Sequence, residues 1–225
     1  IFRRVESPDT FRNDQESGLM MNTMKLFHLA ETSAEKVVLR REPFVFFLWN
    51  ESRHIEFSLE KSGARAFIFA LFIGKDTDAF STSIVQHHHK PDTRSSLTIL
   101  SILDGHAVFS YDGLIRIEKE AVHADASQAN RNILLSEHAR ANASPQLEIL
   151  AHDVAARHAS ATGTTNSDAV FSLEARGLEE DTAKKLLAEG ALHAFFNDMR
   201  KHTDDPAVDI FEKEALEKLG IFQED

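Results

Sequence analysis

His87, His88 and His89 form the densest group of side chains able to do chemistry in this chain of 225 residues, which holds 12 histidines and no cysteine. In an extended strand, residues two apart share a face, so His87 and His89 would present two imidazoles on one side, a pair able to chelate a metal ion. No acidic residue lies close enough in sequence to complete such a site. The plainer reading is a solvated strand end before Lys90-Pro91. Asp104, Asp112 and Asp125 are single carboxylates near turns, placed to cap loops rather than to share a proton as an acid–base pair. Ser127 and Ser136 stand outside any strand–turn–helix nucleophile context. The absence of cysteine excludes disulfides, thiolate nucleophiles and any zinc or iron–sulfur site with sulfur ligands from this chain. Neither a Gly-x-x-x-x-Gly-Lys-Ser/Thr loop nor a Gly-x-Gly-x-x-Gly turn occurs, so nucleotide binding of the usual kinds is not expected.

Short strands are the elements that must position these residues. Signals run through Val37 to Leu39, Phe44 to Trp49, His54 to Leu59, Ala66 to Ile73, Phe80 to Val85, Leu97 to Leu103, Ala107 to Tyr111, Leu114 to Ile117 and Gln146 to Leu150. Several alternate apolar and polar residues, as in Ile55-Glu56-Phe57-Ser58-Leu59, which suits a sheet with one buried face. Turn signals recur every 13 to 17 residues or so, a loose period of solenoid type. Small residues follow some turns, at Ala139 to Ala143 and Ala155 to Ala161, where tight coils would leave little room inside. By pattern alone, a β-sandwich and a β-helix fit about equally. After Thr165 the composition turns to helix formers. A helix is predicted over Leu178 to His202, with Glu179, Glu180 and Asp181 at its positive end and Gly190 marking a kink or close contact. A second is predicted from Pro206 to Leu219, with Gly220 as its cap. Three regions result: an N-terminal arm over 1–35, a β core over 36–165 and a helical segment over 166–225.

The net charge of −11 disfavours nucleic acid. No stretch reaches the roughly 20 apolar residues of a membrane-spanning helix, and Arg3, Arg4, Glu6 and Asp9 do not make a signal peptide. A cytoplasmic location without membrane attachment is the expectation.

From Gly113 to Ala139 the chain sets out a glycine-led strand, an alanine-rich turn, a Gln128-Ala129-Asn130 step and a Leu134-Leu135-Ser136 strand. Ser144 to Ile149, His152 to Val154, Arg157 to Ala159 and Phe171 to Gly177 follow in order, and Asp104 to Phe109 precede. This succession resembles the SufB/SufD family of iron–sulfur cluster assembly proteins, the SufD branch in particular. The resemblance implies a right-handed parallel β-helix followed by a small C-terminal α-helical segment, and a non-enzymatic scaffold. It implies pairing with a SufB-like protein through the β-helices, and docking of a SufC-like cytosolic ABC-type ATPase on the helical segment. The SufB branch carries a cluster-related cysteine where this chain has Ala139, and a glutamate where it has Ala159. His158 matches the histidine that the SufD branch contributes near the pair interface. Glu174, Arg176 and Gly177 are the candidates for ATPase docking by the same resemblance. No cofactor is expected on this chain alone, iron or a cluster being shared transiently with a partner. Two other readings stand beside this one: a divergent homodimeric relative without cluster chemistry, and a β-helical metal-dependent or sugar-processing enzyme.

Overall fold

In the computed structural model, which describes residues 24–29, 35–40, 43–164 and 167–220, alternating strands wind into two parallel sheets. Residues 1–23 and 30–34 of the segment read as an arm lie outside the described residues, but Lys25–His28 forms β1. The other strands are β2 (Lys36–Leu39), β3 (Phe44–Trp49), β4 (His54–Leu59), β5 (Arg65–Gly74), β6 (Ala79–His88), β7 (Arg94–Leu103), β8 (Val108–Ile117), β9 (Asp125–Leu134), β10 (Arg140–Ile149) and β11 (Ala155–Thr164). Odd-numbered strands stack in the order β1-β3-β5-β7-β9-β11 and even-numbered ones in the order β10-β8-β6-β4-β2, every pairing parallel. The chain is therefore a parallel β-solenoid with two strands per coil, and the β-sandwich alternative falls away.

From β5 onward, strand starts fall 14 to 17 residues apart, so the turn period visible in the sequence is half a coil. At one corner Gly63, Asp92, His123 and Asp153 all take positive φ. A full coil thus spans about 30 residues, and equivalent positions stack across strands.

Alternation sorts each strand between two environments. On β5, Ala66, Ile68, Ala70 and Phe72 fill the interior with Phe46, Phe57 and Phe109. Phe69, Leu71 and Ile73 point outward and are covered by helices. Phe80 to Val85, His87 and His88 belong to one strand with His89 just past its end, and Val108 to Tyr111 and Leu114 to Ile117 fuse into β8, with Gly113 in the middle of it. An added Cβ at Gly113 would lie 2.1 Å from the Tyr111 hydroxyl, so only glycine leaves room for that ring inside the coil.

Three helices follow: α1 (Ser167–Glu174), α2 (Glu180–Arg200) and α3 (Ala207–Leu219). Gly220 caps α3 in the left-handed conformation, φ 83°, as the sequence predicts. The sequence favours packing of Phe195, Phe196 and Phe211 on the end of the β-helix; they pack instead on the outer face of the six-stranded sheet, against Val45, Phe47, Phe69 and Leu71. The Phe47 and Phe211 ring centroids are 4.8 Å apart, and Phe69 meets Phe195 edge-on at 5.6 Å. The physical reason lies in β3 and β5, which are apolar on both faces and need a second layer. Gly190 makes no close contact: α2 runs through it unbroken, and a Cβ there would meet nothing within 4 Å.

Candidate functional site

On β6, residues 84, 86 and 88 face the interior and 85 and 87 the outer surface, so the three consecutive histidines divide between two environments. His88 is fully buried, its Nδ1 2.8 Å from Thr93 Oγ1 and its Nε2 2.8 Å from Ser95 Oγ. Burial, with the neighbouring His87 charge adding to it, pushes the His88 imidazole down to about 4, so a neutral ring fills that interior position.

His87 and His89 share the outer face, their ring centroids 3.7 Å apart. Register brings carboxylates to them. Ser58 and Arg116 stand beside His87 on the flanking strands, which sets Glu56 and Glu118 diagonally about it. His87 Nδ1 lies 3.3 Å from Glu56 Oε1 and Nε2 lies 2.8 Å from Glu118 Oε1, each partner 31 residues away. Glu56, His87 and His89 offer ligand atoms that all lie within 4.8 Å of one another. The solvated strand end expected there is therefore corrected: the acids absent nearby in sequence arrive from the coils before and after. The missing signal was the full coil, twice the turn period, which leads from 87 to 56 and 118.

Charge balance within the cluster follows from these contacts. Burial pushes the Glu56 carboxyl up, but hydrogen bonds and charge from Lys36 and His87 outweigh it and hold the group below its usual range. The His87 hydrogen bond holds Glu118 down as well. His89 is lowered, first by burial and then by the His87 charge. Lys36 Nζ lies 3.2 Å from Glu56 Oε1 and 3.6 Å from Glu60 Oε1.

His158 is elsewhere, on β11, the last strand of its sheet. It stacks on Gln128 and through it on Leu97, an interior column, yet it is exposed because no further described coil covers it. Gln128 Oε1 accepts the Tyr111 hydroxyl at 2.5 Å. An open groove of about 530 Å³ at this end is lined by Tyr111, Ala143, Ser144, Ser160 and Thr162. Both final strands, β10 and β11, keep one edge unpaired among the described residues.

Alternation decides which backbone groups those edges offer. Arg140 N–H donates to Ala107 O, so Pro145, five residues on, turns its N–H-less side outward and interrupts the β10 edge. Ala155 N–H donates to Ala124 O, so the N–H groups of His158, Ser160 and Thr162 face the open side of β11, and no proline interrupts them. Ala139 is 3% exposed and packs in the interior.

Glu174, Arg176 and Gly177 are exposed around the end of α1. Gly177, at φ 94°, closes a Schellman motif in which its N–H donates to Glu174 O and Leu178 N–H donates to Leu173 O. Phe171, one turn before Glu174, is 71% exposed, an apolar surface residue that charge and glycine signals alone did not single out. Asp104 caps its own turn through Gly105 N–H, and Asp125 pairs with Arg94 and Arg157, in line with loop and surface roles for these carboxylates. No described helix is long and apolar enough to cross a membrane.

The sequence model of the SUF system FeS cluster assembly SufBD core domain matches residues 50–191. The chain belongs to the SufBD family. An iron–sulfur cluster assembly SufBD family protein of Mycobacterium leprae is 32% identical over 136 residues, 57% of this chain and 35% of its own. The iron–sulfur cluster assembly protein SufD of Bacillus subtilis is 30% identical over 126 residues, 56% of this chain and 28% of its own. SufD of Escherichia coli is 28% identical over 116 residues, 52% of this chain and 25% of its own. The chain thus spans about a quarter to a third of the length of these curated relatives. The SufBD match covers β4 to β11 and reaches into α2, so the solenoid and its open end are the shared part.

Proposed function

We propose that this chain is a SufD-like scaffold subunit, without catalysis of its own, that pairs through the open end of its solenoid with a cysteine-bearing SufB-like protein. The observation that carries the reading is the uninterrupted edge of β11, unpaired among the described residues, with exposed His158 on it. Unpaired strand edges are either protected or used, and strand addition is the direct way to use one. A chain without cysteine has no thiolate to offer a cluster, so the partner supplies sulfur ligands and His158 contributes an imidazole, a competent iron ligand. Any iron or cluster is then shared across the pair. The docking surface for a SufC-like ATPase is the α1 end, where Phe171 stands exposed beside Glu174, Arg176 and Gly177. An exposed aromatic rimmed by charge is a common anchor for a partner.

A second copy of the chain is the other occupant that the open edge favours, since a free edge can pair with itself about a two-fold axis. Co-expression with a SufB-like protein and the ATPase, followed by pull-down and anaerobic iron and sulfide analysis, separates the two. The scaffold reading expects a ternary complex whose cluster content falls in His158→Ala and whose ATPase is lost in Phe171→Ser. A chain that forms only homodimers, or a complex whose cluster content ignores His158→Ala, defeats it in favour of the divergent relative.

A further inference from the structure

The cluster on the outer face of the five-stranded sheet has no part in the pairing reading. We propose that Glu56, His87 and His89 form a binding site for one first-row divalent cation of the zinc(II) or iron(II) kind, with Glu118 orienting His87. Two imidazoles and a carboxylate are the donor set such ions prefer, whereas calcium and magnesium take oxygen throughout.

Distance and direction both fit. Donors around a tetrahedral ion with bonds of about 2.0–2.1 Å stand about 3.4 Å apart, and the three groups here lie within 4.8 Å of one another. Closing from 4.8 Å to about 3.4 Å, at most about 1.4 Å, is within reach of side-chain rotation, because His87 and His89 share one face of the same run and Glu56 lies one strand away. His87 Nδ1 is turned toward Glu56, and its Nε2 is 2.8 Å from Glu118. An ion between Glu56 and Nδ1 leaves Nε2–H to donate to Glu118, the carboxylate–histidine–metal arrangement that fixes tautomer and ring orientation. His89 Nε2 is shut off from solvent and has no hydrogen-bond partner, an unmet polar atom on a ring whose centroid lies 3.7 Å from that of His87. A groove of about 500 Å³ runs past His89 and Glu118. Three protein donors leave a coordination position open on a four-coordinate ion. Lys36 Nζ, already on Glu56, competes with it.

The test uses the whole chain, stripped of metal with a chelator and desalted, titrated with Zn²⁺ by calorimetry, with Co²⁺ by visible absorption and with Fe²⁺ under anaerobic conditions. Circular dichroism on every variant verifies folding. The expected result is one ion per chain, loss of binding in His87→Ala and in His89→Ala, and about 10- to 100-fold weaker binding in Glu118→Gln, which keeps all three ligands. Lys36→Met binds more tightly, and His123→Ala binds as the parent does. The absence of saturable binding below about 1 mM overturns the proposal, as does undiminished binding by folded His89→Ala; the cluster is then a hydrogen-bonded ladder only. These readouts use no partner, so they stand or fall apart from the scaffold reading.

Discussion

Ser160→Pro on β11 isolates the open edge from the stability of the fold. Along this strand N–H groups alternate, and Ala155 N–H donates to Ala124 O. The groups of Arg157, Ala159 and Ala161 therefore turn toward β9, and those of His158, Ser160 and Thr162 turn away. Proline at 160 removes an N–H that pairs with nothing in the described sheet, and it keeps its neighbour extended, as a strand requires. Pro145 already occupies the same kind of position on β10. The variant should melt within about 0.5 kcal/mol of the parent. A partner strand on this edge loses one central hydrogen bond and meets the ring, which costs it about 1–3 kcal/mol, or about 5- to 150-fold in affinity. Ala161→Pro is the opposite control: its N–H faces β9, so the fold itself loses about 1–3 kcal/mol. Thermal unfolding by circular dichroism and analytical gel filtration of the co-expressed complex read the two effects separately. If Ser160→Pro associates as tightly as the parent, the β11 edge is not the interface; if it unfolds like Ala161→Pro, the edge assignment is wrong.

Phe47→Ala, at a fully buried ring that meets Phe195, Phe196 and Phe211, should cost about 3–5 kcal/mol in denaturant unfolding; a cost below 1 kcal/mol would mean that the helices do not need that face. Tyr111→Phe removes the donor to Gln128 Oε1 inside the coil and should cost about 1–3 kcal/mol by the same measurement. Gly190→Ala, open and mid-helix, should raise stability by about 1 kcal/mol, and a loss would reveal a contact at that face. His193 is raised above its ordinary 6.5, first by the hydrogen bond to Glu212 at 2.7 Å. Its contribution is fully present below pH 6.5 and is lost as pH rises through the raised folded value. Melting temperature should therefore fall over that interval in the parent more than in His193→Gln, and parallel curves would remove the pairing from the account.

Much of the solenoid was legible in sequence because strand alternation and turn residues are local. Phe44–Trp49 and His54–Leu59 were read to the residue, and the two long helices nearly so. Less legible were β9 and β11, whose inward residues after Ala126 and Ala156 are glutamine, asparagine, histidine, serine and threonine in place of large apolar side chains. Near the open end the interior is held by side-chain hydrogen bonds, such as Ser101 to Asn132 and Asn132 to Thr162, and hydropathy carries no trace of those. α1 was missed too, being eight residues long with one buried side chain, Val170.

By itself the sequence determined the chemical inventory: no thiolate, two imidazoles on one face of a strand, a β region that ends near residue 165, and the family resemblance carried by the blocks from Asp104 to Gly177. Tertiary structure alone decided which groups meet. Parallel coils place side chains about 30 residues apart within hydrogen-bond reach, so Glu56 and Glu118 close on His87 while the adjacent His88 turns into the core. Coil stacking also separates His158 from the other histidines and leaves it at an edge whose free N–H groups follow from one register, Ala155 on Asp125.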